Sequence, residues 1–331
     1  MQRRSFIKFG AVAAGAFCSL GKAAVAQKKP APAPEKPAPP GNPFLQEGNW
    51  YKAQLHAHTT TSDGDVPVAT RLKQYRDLGY HVVAITDHWK TNDLSSFSDE
   101  KFLAINSMEA HPKTSTGAPA HHFVCLDLPH PFELDRNQSA QSLIDKVHEV
   151  GGKVIYAHPY WTCHTLDEMR SVNGFIGIEV YNAVCDLNWR KGYADPHIDQ
   201  AFNKVGLFFI TSVDDVHKTD QINNGWVMVK AKELTKSAIM EAIGKGHLYA
   251  SNGTEITDFR VEKGATTLKC KQAAEIRFFY DGPAAGHYVV AGADKPLEEA
   301  SWKLPSGIKW VRAEVISTEG KRAWTNPIAL G

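Results

Sequence analysis

An α/β fold with a parallel-rich sheet is predicted by two features of the sequence. Short, nearly continuous apolar runs alternate with amphipathic helical segments, and nearly every run ends in a histidine or a carboxylate. A third feature, the loss of helical periodicity after about residue 254, predicts a small antiparallel β domain that closes the chain. Strands this uniformly apolar are covered by helices, so the main domain is expected to be a barrel or a doubly wound sheet.

The chain begins MQRRSFIKFGAVAAGAFCSLGKAAVAQ, with a twin arginine at Arg3 and Arg4, a short apolar run, and Ala24-Val25-Ala26 as a small-residue cleavage site. Residues 1–26 therefore read as an export signal of the twin-arginine kind, used by proteins that leave the cytoplasm already folded, for the periplasm or the medium. Ser19, Gly21 and Lys22 interrupt the run before it reaches the twenty or so residues of a membrane span, so no stable membrane anchor is expected. Residues 27–43, QKKPAPAPEKPAPPGNP, are too poor in apolar side chains and backbone donors for regular structure and read as a linker, with folding expected to begin near Trp50. The domain reading is then a main α/β domain over residues 44–254 and a β-sandwich-like accessory domain over residues 255–331.

Within the main domain, YKAQLHAH, HVVAIT, FLAINSMEA, HFVCLDL, KVIYAH, GFIGIEVYN, LFFITSVDD and WVMVKA read as strands. VATRLKQYRDLG reads as a helix closed by Gly79, and SAQSLIDKVHEVGG as one started by Ser139 or Ser142. The segments around HIDQAFNKVG and SAIMEAIGKG complete the helices. The sequence carries 37 basic and 36 acidic residues, and cleavage after Ala26 removes four basic ones and no acid, leaving a slight acidic excess. No basic stripe points to nucleic acid. Cys125, Cys163, Cys185 and Cys270 form no CxxC pair, which excludes a zinc ribbon, and they read as small buried hydrophobes.

Side chains at i and i+2 of a strand share a face, so His56 and His58 aim together at the carboxyl end of the first strand, where α/β barrels place their sites. Two histidines on one face can clamp a cation. The same residue types recur at the later strand ends: Asp87 or His88, Glu109, His121 or His122, His158, and Asp215 with His217, while Asp63 sits in the loop after the first strand. Burying so many polar groups without compensation would unfold a domain, so a shared ligand is the economical explanation. Glu179 reads as a support that orients a ligand histidine. Trp161, Trp189, Arg190 and Lys191 are candidates for the wall of a pocket, with the cations meeting a phosphate.

The series HxH, TDH, a mid-chain Glu followed by His, AHP and DxH, in that order over roughly residues 50–253, resembles the polymerase and histidinol phosphatase (PHP) family of metal-dependent phosphoesterases. The resemblance implies a distorted (β/α)7 barrel with two or three divalent ions, Zn, Mn or Fe. It places His56, His58, Glu109 and Asp215 on one ion, Glu109 with His122 and His158 on a second, and Asp63, His88 and His217 on a third. Glu109, Asp215 and His217 are the expected catalytic residues. The implied activity is hydrolysis of a small phosphate monoester or diester by a metal-bridged hydroxide, since a divalent ion lowers the pKa of water from 15.7 to about 7. A carbamate or carboxyl ester hydrolase on the same barrel is the alternative, and an envelope-binding protein that uses the β domain is a second. The C-terminal GKRAWTNPI resembles exported members of the family that append such a domain.

Overall fold

The structure, a computed structural model, describes residues 38–282, 286–292 and 295–331. The expected export signal and most of the expected linker lie outside the described residues. Residues 38–43, also read as linker, are part of the fold: Gly41 N–H donates to Lys245 O at 2.7 Å, Asn42 caps a short 3-10 turn at Pro43–Leu45, and Pro43 is buried. Phe44 then stacks near Trp50 and Tyr249, so ordered structure starts several residues before Trp50.

The main domain runs β1 (Asn49–Gln54), α1 (Val68–Asp77), β2 (Val82–Ile85), β3 (Leu103–Asn106), β4 (Met108–Ala110), β5 (Phe123–Leu126), α2 (Ala140–Glu149), β6 (Lys153–Tyr156), α3 (Leu166–Arg170), β7 (Phe175–Asn182), α4 (Ala183–Trp189), α5 (Asp195–Lys204), β8 (Phe209–Val213), β9 (Trp226–Ala231), α6 (Lys236–Gly244) and β10 (Leu248–Ser251). Local chemistry explains the helices. Ser139 Oγ accepts from Ser142 N–H at the start of α2, and Gly151 follows its end at a φ of +85°. Leu143, Ile144 and Val147 bury one face of α2, each side chain contributing about 1.5–3 kcal/mol. Thr235 caps α6 in the same way, and Ile239 and Ile243 turn inward. Two short helices, α3 and α4, escaped the sequence reading because five and seven residues are too few to show a period.

The strands form two sheets. One runs β4-β5-β6-β7-β8, and the other begins β3-β2-β1-β9-β10. β1, β2 and β3 are parallel, as are β6, β7 and β8. β5 is antiparallel to both its neighbours, and β9 is antiparallel to β1. Val82 and Ala84 face one apolar cluster while Val83 and Ile85 face another with Leu72 and Tyr75 of α1, which is why β2 is apolar at every position.

The run read as one strand over FLAINSMEA breaks at Ser107 and passes from one sheet into the other as β3 and β4. On the far side, Asp215 N–H donates to His56 O and His58 N–H to Val216 O, both at 3.0 Å. Among the described residues no sheet closes on itself, so the fold is a mixed α/β arrangement of two sheets stitched by isolated bridges at Ala57–Val216 and His88–Glu109. The physical reason is β9, which takes the free edge of β1 along Asn49–Ala53 and leaves β8 only the residues beyond it.

The remaining strands are β11 (Ile256–Glu262), β12 (Ala265–Tyr280), β13 (Gly286–Val290), β14 (Leu297–Lys303), β15 (Trp310–Ser317), β16 (Arg322–Trp324) and β17 (Ile328–Ala329). β12 pairs with β11 and β14 along its first half and with β13 and β15 along its second. β16 pairs with β10, so these strands continue the sheet of the main domain. Arg312 donates to both oxygens of Asp199 on α5 at 2.7 and 2.9 Å, and Trp310 packs on Phe202. No described helix is long and apolar enough to cross a membrane.

Candidate metal centre

His56 and His58 leave the end of β1 side by side, both fully buried, with ring centroids 5.2 Å apart. Gln54 Oε1 accepts from the N–H groups of Leu55 and His56 and pins the exit. The two Nε2 atoms point at the same pair of oxygens. His56 Nε2 is 3.2 Å from both Glu109 Oε2 and Asp215 Oδ1, and His58 Nε2 is 3.3 and 3.0 Å from them. Four donors around one tetrahedral cation stand roughly 3.4 Å apart, so this spacing is that of a coordination shell.

Glu109, at the centre, is faced by five imidazoles. Its Oε1 lies 2.7 Å from His122 Nδ1 and 3.2 Å from His158 Nε2, and its Oε2 lies 3.0 Å from His88 Nδ1 as well as near His56 and His58. Asp63 Oδ2 lies 3.3 Å from His217 Nε2 and 3.5 Å from His88 Nε2, and Asp63 Oδ1 is 3.7 Å from His58 Nδ1. Three groups of donor atoms result, each able to hold an ion: His56, His58, Glu109 and Asp215; Glu109, His122 and His158; and Asp63, His88 and His217, with His58 also within reach of the last. The fold therefore brings together all nine residues that the sequence singled out.

The chemistry of the donor set fits divalent cations. His56 Nε2, His58 Nε2 and Asp215 Oδ1 are buried with no hydrogen-bond partner, a costly state unless a cation or protons intervene. Burial opposes the charging of His56, but Asp215, Glu179 and Glu109 outweigh it and raise its pKa. His88 is pushed up to about 10, burial being overcome by Asp63 and Glu109. Burial resists ionisation of Glu109 and Asp215 too, yet His56 and its neighbours hold both carboxyls well below their ordinary values. The buried carboxylates thus favour positive charge at the centre, of the kind a bound cation would supply. Asp215 and His158 also adopt left-handed backbone conformations, φ +54° and +25°, each costing about 1–3 kcal/mol in a non-glycine residue, as functional sites often do.

Tertiary structure separates the adjacent pairs. His122 faces Glu109, whereas His121 turns away to Tyr156 Oη at 3.0 Å. Because β5 is antiparallel, its first end lies at the mouth, which is why the histidine there precedes the strand. His88 faces the site, and Asp87 instead accepts from Thr59 N–H, Thr59 Oγ, Ser62 Oγ and Asn92 Nδ2, holding the loop that carries Asp63. Asp215 faces inward while Asp214 accepts from Tyr75 Oη and the N–H groups of Asn223, Asn224 and Gly225. Glu179 behaves as a support: Oε1 meets His56 Nδ1 at 2.7 Å, and Oε2 accepts from His158 N–H and Asn182 Nδ2.

A cavity of about 420 Å³ opens over these groups, with Trp161 and Trp189 on its wall. Arg190 and Lys191 do not line it. Lys191 Nζ sits 3.1 Å from Cys163 Sγ, and Cys163 is exposed, whereas Cys125, Cys185 and Cys270 are buried as expected. The lining cation is Lys218, one residue past the DxH motif, a position that the sequence reading passed over. A larger cavity of about 630 Å³ beside Trp50 and Trp226 contains none of the clustered donors.

No protein-family model matches the chain, and no curated protein matches it. Among solved structures the chain is similar to a two-domain protein from Bacteroides vulgatus containing a predicted PHP-like metal-dependent phosphoesterase, at 15% identity and a TM-score of 0.48, covering 89% of this chain and 100% of that one. It is similar to a lesion-specific endonuclease from Pyrococcus furiosus, at 14% identity and a TM-score of 0.42, covering 59% of this chain and 56% of that one. An amidohydrolase from Chromobacterium violaceum matches at 15% identity and a TM-score of 0.37, covering 50% of this chain and 88% of that one. The first of these carries the name of the family that the motifs resemble. At such distances likeness says nothing of activity, which rests on the site itself.

Proposed function

We propose that the protein is a metal-dependent phosphoesterase of PHP type, its two bridged sheets forming a distorted, unclosed barrel, that hydrolyses a small phosphate monoester or diester. The observation that carries this reading is Glu109, a buried carboxylate faced by five imidazoles beside the unpartnered His56 Nε2, His58 Nε2 and Asp215 Oδ1. His56, His58, Asp63, His88, Glu109, His122, His158, Asp215 and His217 would hold two or three ions of the Zn, Mn or Fe type. Such ions supply Lewis acidity toward the phosphoryl oxygens and a strong nucleophile at neutral pH.

The chain's own groups do the rest. Glu179 fixes the tautomer of His56 and keeps Nε2 directed inward. Asn182 Nδ2 steadies both Glu179 Oε2 and Asp215 Oδ2, at 3.0 and 3.1 Å. Lys218 meets the charge of the phosphoryl group. The products share one water: its oxygen goes to phosphorus as the ester P–O bond breaks, and its proton leaves with the alcohol. Export by the twin-arginine pathway to the periplasm belongs to the same proposal and is supported by the Arg3-Arg4 signal.

The test is elemental analysis of purified protein beside a panel of nitrophenyl phosphate, bis-nitrophenyl phosphate and aryl carbamates. Turnover of the phosphates with bound metal, and loss of both in His58→Ala and Asp215→Ala while circular dichroism is unchanged, is the expected result. Turnover of carbamates alone selects the carboxyl-ester alternative, and full activity in metal-depleted protein overturns the proposal.

A further inference from the structure

Trp161 and Trp189 have no part in the chemistry described so far. Trp161, in the loop after β6, lies edge-on to two of the clustered histidines, with ring centroids 5.2 Å from His158 and 5.5 Å from His122. Trp189 ends α4, where Arg190 enters the left-handed region at φ +58°, and its ring is 5.6 Å from that of Trp161. Trp189 is 53% exposed, so packing within the fold leaves half of an indole in water at the lip of a cavity. Val184 and Cys185 of α4 extend this apolar side.

One cationic residue joins these apolar ones. Lys218 directly follows His217 and is the single lysine or arginine among the described residues lining the cavity. The indoles adjoin the Glu109–His122–His158 group, and Lys218 lines the same cavity, next in sequence to His217 of the Asp63–His88–His217 group. A substrate therefore meets both apolar ring surface and a cationic residue around the clustered donors.

Resting on the phosphoesterase reading, we propose that the cavity selects phosphate esters whose leaving group is a flat apolar ring. The ring stacks on Trp161 and Trp189 while the phosphoryl oxygens face Lys218. A planar ring removes indole surface from water on binding, whereas a small alkyl group leaves that surface wet.

Calorimetric titration of the metal-loaded full chain with phenylphosphonate and methylphosphonate tests this without turnover. Wild type should bind phenylphosphonate about tenfold more tightly. Trp189→Phe should keep most of that preference, and Trp189→Ala should lower the ratio of the two affinities about fivefold or more. Equal affinities in wild type, or a ratio unmoved in Trp189→Ala, overturns the inference. A ratio that collapses in Trp189→Ala in a protein that turns over no phosphate ester supports the ring-binding wall and overturns the phosphoesterase reading instead.

Discussion

Glu179 Oε1 lies 2.7 Å from His56 Nδ1, and neither side chain is exposed to solvent. That contact settles which imidazole nitrogen carries the proton and turns Nε2 toward Glu109 and Asp215. Carboxylates behind ligand histidines also raise their basicity. Glu179→Gln keeps an oxygen to accept from His56 but turns its NH2 toward His158 N–H and Asn182 Nδ2, so it should cost about 1–3 kcal/mol of stability and weaken metal affinity by roughly 10–100-fold. Competition with a fluorescent chelator reads the change; affinity equal to wild type would remove Glu179 from the site.

Asp87 supports a different part of the cluster. Its carboxylate accepts five hydrogen bonds that hold Thr59, Ser62 and Asn92, and Asp63 follows directly. Asp87→Asn replaces an acceptor with a donor that faces donors, costing about 2–4 kcal/mol in a buried site. Urea unfolding should show that loss. Metal titration should show the Asp63–His88–His217 group weakened more than the group at Asp215; uniform weakening would argue for general unfolding.

On the proposed function, chelation should destabilise the protein, because the imidazoles and carboxylates crowded around Glu109 would lose the cations that compensate them. At a free metal concentration near a thousand times Kd, binding contributes about 4 kcal/mol. In a chain of this size the loss corresponds to a fall in Tm of roughly 6 °C. Differential scanning calorimetry with and without EDTA measures it, and an unchanged Tm counts against a metal centre.

Glu314 introduces a pH dependence away from the site. Burial, with Asp195 adding to it, pushes this carboxyl up to about 7 against the opposing pull of Arg312, Arg322 and Arg277. A folded-state pKa above the ordinary 4.5 means that the folded chain binds the proton more tightly, so stability falls as pH rises from about 4.5 through about 7. Glu314→Gln should flatten that part of the curve, leaving the variant closer to wild type at pH 5 and about 1–3 kcal/mol more favourable relative to it at pH 8. Urea midpoints across that range check the sign; a wild-type curve that rises over the same interval refutes it.

Much of this molecule is legible in its residues. The spacing of His56 and His58, the carboxylate or histidine at each strand end, the Ser139 cap and the glycine after α2 are local features whose consequences follow from a period of two or a capping hydrogen bond. Asp215 is marked too, by its i, i+2 spacing to His217. Two adjacent pairs were not legible from the residues alone: Asp87 against His88 and His121 against His122 each put two competent side chains on opposite faces. Backbone path selects one, as the reversed direction of β5 shows. Trp189 and Lys218 likewise meet over one cavity only because α4 and the loop after β8 converge there.

Sequence by itself thus determined the kind of chemistry, because residue types and their strand-end positions are written into the chain. Tertiary structure decided the sharing of Glu109 among five imidazoles, the support from Glu179, and the open seam where β9 claims the edge of β1. Those depend on distances between residues up to a hundred or more positions apart, which no local pattern encodes.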